Sequence, residues 1–224
     1  MTNEGPPPEP KRRGLSKGRL EAFSDGVFAI AITLLVLEIA VPASAERHLL
    51  RSVIDLWPSY LAYVVSFSTI GAMWLGHNVI TEYLDRASTA FIRLNLLFLL
   101  FVAFLPLPTK LFADFIERDS PERVAATIYG ISLLLTSTML LVLWRYAIHA
   151  RLVRPDTSDE EVQFLTQRLT PGLGTYLVLI VAGLFVPVIA VIGYLVLALF
   201  FIIPFRRERL NLRIFHRARR SPRP

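Results

Sequence analysis

Residues 19–39 read RLEAFSDGVFAIAITLLVLEI, and from Gly26 to Leu37 no side chain is charged. A bilayer core of about 30 Å is crossed by ~20 mostly apolar helical residues. The stretch therefore predicts a membrane-spanning helix from about Ala22 to Val41. Similar segments follow at Trp57–Ile80, Phe91–Phe112, Val124–Ile148 and Leu173–Phe205. Hydrophobic residues make up 54% of the 224 and charged residues 19%, and a soluble domain has no need to gather them into such runs. The fold class is an all-α polytopic membrane protein. That excludes a soluble enzyme, a disordered chain and a secreted disulfide scaffold. With no cysteine in the chain, thiol catalysis and Cys-ligated metals are excluded as well.

The segment Leu173–Phe205 decides the topology. Its 33 residues are too many for one ordinary span and few for two. A tight hairpin near Pro187 gives six transmembrane helices with both termini on one side, and 19 of the 24 cations then share that side. Five spans would place the eight arginines of the C-terminal tail outside, against the positive-inside bias. Six spans with both termini cytoplasmic is the expected arrangement. The fifth helix is expected to begin before Pro171 and the sixth to extend through Arg206. Pro106 and Pro108 weaken the end of the third, since proline lacks an amide hydrogen and clashes with the preceding turn.

Residues 1–18 form a basic, Pro-rich segment expected to be disordered; residues 19–207 form the six-helix domain; residues 208–224 form a basic cytoplasmic tail. Both basic clusters abut hydrophobic spans, so they read as anchors to anionic lipid of the bilayer and not as a nucleic-acid surface. Ala43-Ser44-Ala45 after the first segment imitates a signal-peptide cleavage site, but Glu21, Asp25 and Glu38 and the long leader argue against cleavage.

At about 100° per residue, Phe23, Ile30, Leu34, Leu37 and Val41 share one stripe of the first helix, with Gly26 and Thr33 at its edge. Asp25 lies nearly opposite Ile30. A stripe of branched apolar residues is ordinarily a packing face. The polar back at Ser24 and Asp25, however, cannot face lipid, where a charge costs at least ~2.5 kcal/mol. The helix thus meets protein on both sides and is central, or lines an axis. Asp25 requires partners, and Trp74, His77 and Asn78 on the second segment, with Arg93 and Asn95 on the third, lie at similar depth. Trp74 and His77, three apart, share a face. This set reads either as a hydrogen-bonded clamp between helices or as a proton relay. Glu38 sits either at the water interface or in an acidic ring at a pore mouth. His77 has no second ligand at metal spacing, and no cofactor is expected. Trp57, Tyr60, Trp144 and Tyr146 fit interfacial aromatic belts.

Phosphate-loop, zinc-protease, nucleophile-elbow and potassium-filter motifs are absent from the sequence. No nucleophile, base or metal set clusters, so the chain is not expected to be an enzyme. A proton-coupled carrier titrating Asp25, Glu38 and His77 is the alternative to a channel.

The run Arg19-x-x-x-Phe23-Ser24-Asp25 at the head of the first helix resembles the signature of the transmembrane protein 175 family of potassium channels. Trp74-x-x-His77, Asn95 and six spans in a chain of this length agree, and the likeness runs from Arg19 to Phe205. The resemblance implies a single-repeat prokaryotic member in a bacterial inner (cell) membrane: a homotetramer whose first helices surround a central pore without a filter loop. It implies a ring of bulky aliphatic side chains at Ile30, with Leu34 and Leu37 at the next turns, and Thr33 contributing to ion preference. It also implies that Arg19, Phe23, Ser24, Asp25, Trp74, His77 and Asn95 belong to the network holding the pore helix. Potassium would be the permeant ion, and aliphatic side chains would gate by dewetting rather than replace its hydration shell.

Overall fold

The computed structural model describes residues 17–40, 48–115 and 119–203. The N-terminal segment before Lys17, Val41 with the loop through Arg47, and the tail beyond Ile203 lie outside the described residues, as does the expected extension of the last helix through Arg206. The elements are α1 (Lys17–Leu34), a 3₁₀ turn (Leu35–Glu38), α2 (Leu49–Asp55), α3 (Trp57–Tyr83), α4 (Thr89–Phe104), α5 (Pro106–Phe115), α6 (Asp119–His149), α7 (Asp159–Phe185) and α8 (Pro187–Ile202).

Local chemistry sets the boundaries. The Ser88 hydroxyl accepts from the Phe91 amide at 3.1 Å and starts α4. Pro106 and Pro108 stop α4 at Phe104, and the helix restarts as α5 with Pro106 in its first turn, where a missing amide hydrogen costs nothing. The prolines thus interrupt the third segment at Leu105, and α4 and α5 follow one another as a single span from Thr89 to Phe115. Ser158 and Glu161 form a reciprocal capping box at the head of α7, and Asp159, Glu160 and Glu161 complement its dipole. The polar stretch after His149 is therefore largely the first turns of the fifth long helix. Arg151, at φ 50°, closes α6, with the Leu152 amide donating to the Ala147 carbonyl at 2.9 Å. Val186 alone separates α7 from α8, and Pro187 opens α8, as the hairpin reading expects.

Among the described residues, four helical stretches are long and apolar enough to cross a membrane: Lys17–Glu38, Thr89–Phe115, Pro121–His149 and Asp159–Phe185. The pair α2 and α3, bent by 45°, makes a fifth, and α8 is apolar but shorter, at 16 residues. The expected polar loop between the first two segments thus holds a short helix, α2. The Asp85 amide meets the Leu152 carbonyl at 2.9 Å and the Arg154 amide meets the Tyr83 carbonyl at 3.0 Å, so α3 and α6 end on the same face. Lys17 Nζ donates to the Leu84 carbonyl at 3.0 Å, which brings the start of α1 to that face. Arg168 Nη2, early in α7, donates to the Phe201 carbonyl at 3.1 Å and brings the end of α8 there too.

A continuous core runs through the bundle, from Phe28, Phe91 and Phe98 to Phe112, Tyr129 and Tyr194. Trp144 belongs to it. The ring is fully buried and its Nε1 donates to Thr166 Oγ1 at 2.8 Å, so Trp144 joins α6 to α7 and is not part of an interfacial belt. Trp57 and Tyr60 are exposed, as a belt requires.

Candidate functional site

Two faces of α1 have different fates. Leu20, Ser24, Phe28, Ala31 and Leu35, spaced three or four apart, are all buried against α3 and α4. On the other side Phe23, Ile30, Leu34 and Leu37 are 55, 60, 41 and 70% exposed, so the chain by itself leaves this aliphatic stripe bare. Thr33 stands at its edge. Its hydroxyl lies 2.9 Å from the Ala29 carbonyl and 3.0 Å from the Ile30 carbonyl, and donates into the helix's own backbone. The hydrogen is thereby occupied and the oxygen lone pairs are left to face outward. Past Leu34 the helix tightens into the 3₁₀ turn, where side chains three apart eclipse, so Leu34 and Leu37 stack along one line.

The polar support divides into a buried part and a surface part. In the buried part the Ser24 hydroxyl donates to the Leu20 carbonyl at 2.9 Å and accepts from Asn95 Nδ2 at 2.9 Å. With its amide nitrogen committed to Ser24, Asn95 offers its oxygen to His77, 2.8 Å from Nε2. An amide oxygen only accepts, so His77 carries its proton on Nε2. The chain of donors runs His77 to Asn95 to Ser24 to the Leu20 carbonyl and ties α3, α4 and α1 together. The imidazole stacks on Phe98 at 5.7 Å with an 8° interplanar angle and meets Phe28 at 5.7 Å. Its Nδ1 is buried without a partner among the described residues.

In the surface part, Trp74 Nε1 donates to Asp25 Oδ1 at 2.9 Å. Both residues lie at the edge of the chain's surface, so Asp25 is not enclosed within a single bundle as its place on the helix wheel implies. Among the described residues Asn78 contributes only its backbone carbonyl, which accepts from Thr81, so its side chain does not take the expected place in the network there. Arg19 and Arg93 are exposed and make no hydrogen bond or ion pair among the described residues. Phe23, with its ring bare, belongs to the aliphatic stripe and not to the buried chain.

Glu38, at the other end of α1, pairs with Lys110 Nζ of α5 at 3.1 Å. The sequence gives no sign of this partner, because nothing local links the two segments. Nor does it point to the anchor beneath α5. Ser66 Oγ lies 2.8 Å from Thr109 Oγ1 and 2.9 Å from the Tyr129 hydroxyl, so α3, α5 and α6 meet at one buried hydroxyl cluster. The one available signal is polar side chains set inside apolar segments, where each needs a partner.

Comparison with known proteins bears on this arrangement. Residues 19–106 match the model of the family described as the endosomal/lysosomal potassium channel TMEM175. A protein from Chamaesiphon minutus named as a potassium channel is 44% identical over 165 residues, covering 72% of this chain and 81% of the relative. One from Streptomyces collinus, also named as a potassium channel, is 46% identical over 128 residues, covering 57% of this chain and 62% of its own length. The human protein named endosomal/lysosomal proton channel TMEM175 is 37% identical over 145 residues, and this chain spans only 28% of it. A crystal structure of a Chamaesiphon minutus homolog, described as a lysosomal potassium-selective channel TMEM175 homolog, superposes with a TM-score of 0.75 at 40% identity, covering 83% of this chain and 95% of that one.

Proposed function

The chain belongs to the TMEM175 family, and on that premise we propose that it is a potassium-preferring cation channel of a bacterial inner membrane. In this reading four copies assemble around an axis, each crosses the bilayer six times with both termini in the cytoplasm, and the α1 helices line the pore. Counting α2 and α3 as one bent span and α8 as a short one supplies the six. The shared face of the start of α1 and the end of α8 supports an even number.

One observation carries the reading. α1 buries one stripe and leaves the opposite stripe of Phe23, Ile30, Leu34 and Leu37 uncovered by its own chain, with Thr33 at the edge. Set around an axis, Ile30 forms the narrowest aliphatic ring and Leu34 and Leu37 extend the dry zone. Such a ring fixes a minimum radius and closes by dewetting. The outward oxygen of Thr33 is the acceptor nearest the ring and a hard-cation ligand. Ser24, Asn95 and His77, with Asp25 and Trp74, hold α1 in register so that the rings meet.

The proton-coupled carrier is less well supported. Asp25 and Glu38 are thirteen residues apart on one helix, a rise of about 20 Å, and Glu38 is paired with Lys110. No continuous relay joins them among the described residues. The test is purified protein in a planar bilayer with potassium on one side and sodium on the other. A current reversing away from zero toward the potassium potential is expected. Reversal at zero would remove the preference, and electrical silence the channel reading.

A further inference from the structure

Two cavities lie side by side at the α7–α8 seam, near the face where α8 ends. The inner one, about 280 Å³, is enclosed by α3, α6, α7 and α8, with Met73, Gly76, Leu140, Leu169 and Tyr176 in its wall. The outer one, about 480 Å³, is a more open groove between α7 and α8, with Phe164, Leu197 and Phe200 in its wall. Both share Arg168, Gly172 and Phe201. The partition is thin at one point: a β-carbon on Gly172 would lie 3.0 Å from the Phe201 ring, so the ring rests directly on the α7 backbone.

The inner cavity has no use for a polar occupant. Its lining is mainly apolar, and the Thr69 hydroxyl is committed to the Val65 carbonyl at 2.8 Å. An apolar cavity of about 150 Å³ holds a benzene, so this one holds a chain of about ten carbons. The charge lies where the two cavities meet. Arg168 holds the Phe201 carbonyl at 3.1 Å, and a guanidinium fork can grip a helix carbonyl and a phosphate oxygen together. No carboxylate lines either cavity, so an ammonium group finds no counter-charge.

We infer that this seam is a binding site for one anionic diacyl phospholipid, with an acyl chain on each side of Phe201 and the phosphate against Arg168. Two apolar slots meeting at a single cation match a two-chain amphiphile with one negative head group. The site is separate from the α1 stripe and does not depend on the pore reading.

The test uses the full-length protein in vesicles of phosphatidylcholine doped with phosphatidylglycerol that carries a photoreactive diazirine on one acyl chain. After illumination, adducts are mapped by mass spectrometry. They are expected to concentrate on Leu140, Leu165 and Leu169, at least fivefold above lipid-facing Val178 and Val181. Unlabelled phosphatidylglycerol is expected to compete and phosphatidylcholine not. Ala72→Phe, which fills the inner cavity, is expected to remove the Leu140 adduct at least fivefold. Arg168→Gln is expected to let both lipids compete equally. Adducts spread evenly over the exposed faces of α7 and α8 in the parent protein would overturn the inference. So would a parent protein with no adducts in the cavity, whether a second copy or the chain's own tail fills it, or equal competition by the two lipids. The parent's own adduct map decides the matter even where a variant fails to fold.

Discussion

Replacing Asn95 by alanine removes the middle of the buried donor chain and leaves its two ends intact. Asn95 is fully buried, accepts from His77 Nε2 at 2.8 Å and donates to Ser24 Oγ at 2.9 Å. The consequences for the two partners differ. Ser24 still donates to the Leu20 carbonyl and loses only a bond it accepted. His77 loses its hydrogen-bond acceptor, and since its Nδ1 is already unpaired among the described residues, both ring nitrogens become orphans. A buried donor left unsatisfied costs about 1–3 kcal/mol. The vacated amide volume adds about 1 kcal/mol, and bonds between membrane helices average less, at ~0.6 kcal/mol. The expected loss for Asn95→Ala is therefore about 2–3 kcal/mol, near 4–12 °C in unfolding midpoint for a domain of this size. Ser24→Ala leaves only the Asn95 amide short of an acceptor and is expected to cost about half as much. The double variant is expected to fall short of the sum, because the two substitutions remove one shared bond. Thermal unfolding in detergent, followed by intrinsic tryptophan fluorescence, reads all three. An Asn95→Ala shift below about 2 °C, or strict additivity with Ser24→Ala, would refute the linked chain from His77 to Leu20.

Three further outcomes are expected. If Ile30 forms the proposed ring, Ile30→Asn is expected to wet it, raising single-channel current and moving the potassium/sodium reversal potential toward zero; Leu35→Asn, fully buried on the opposite side of the helix, is expected to lower stability through packing, and an unchanged current in Ile30→Asn misplaces the pore. Lys110→Gln frees the Glu38 carboxylate and is expected to raise cation current at about 0.01 M salt, where charges act over roughly 30 Å, and to have no effect at about 1 M, where they act over about 3 Å; an effect equal at both ionic strengths would show a packing change instead. Trp74→Phe keeps the ring and removes the donor to Asp25, so Trp74→Phe and Asp25→Ala are expected to weaken detergent-resistant assembly alike, with Asp25→Asn in between; assembly unchanged in Asp25→Ala removes the surface pair from any structural role.

Much of α1 is legible in the amino-acid sequence. A three- and four-residue spacing separates Ile30, Leu34 and Leu37 from Asp25, and the proline pair announces a break near residue 106. The hairpin at Pro187 follows from segment length and charge. The helix–helix pairings are legible only as a pool of candidates. Asp25, Trp74, His77, Asn78 and Asn95 all lie at one depth, and depth cannot say that Asn95 chooses Ser24 and His77 while Asp25 takes Trp74 and Asn78 stays out. Lys110 is outside the pool entirely, because it lies on the far part of the Thr89–Phe115 span, beyond the interruption at Leu105, and its pairing with Glu38 depends on how that span lies beside α1.

By itself, then, the sequence determined that the chain is a helical membrane protein and which residues share each helix face. These follow from period, length and backbone chemistry, all local properties. Only the tertiary structure decided which apolar face is core and which is bare. In water the two differ in polarity and patterning separates them. In a bilayer lipid tails are as apolar as leucine, so buried Trp144 and Leu35 look no different in sequence from exposed Trp57 and Ile30. What distinguishes them is the contacts they find across helices, and those exist only once the bundle has formed.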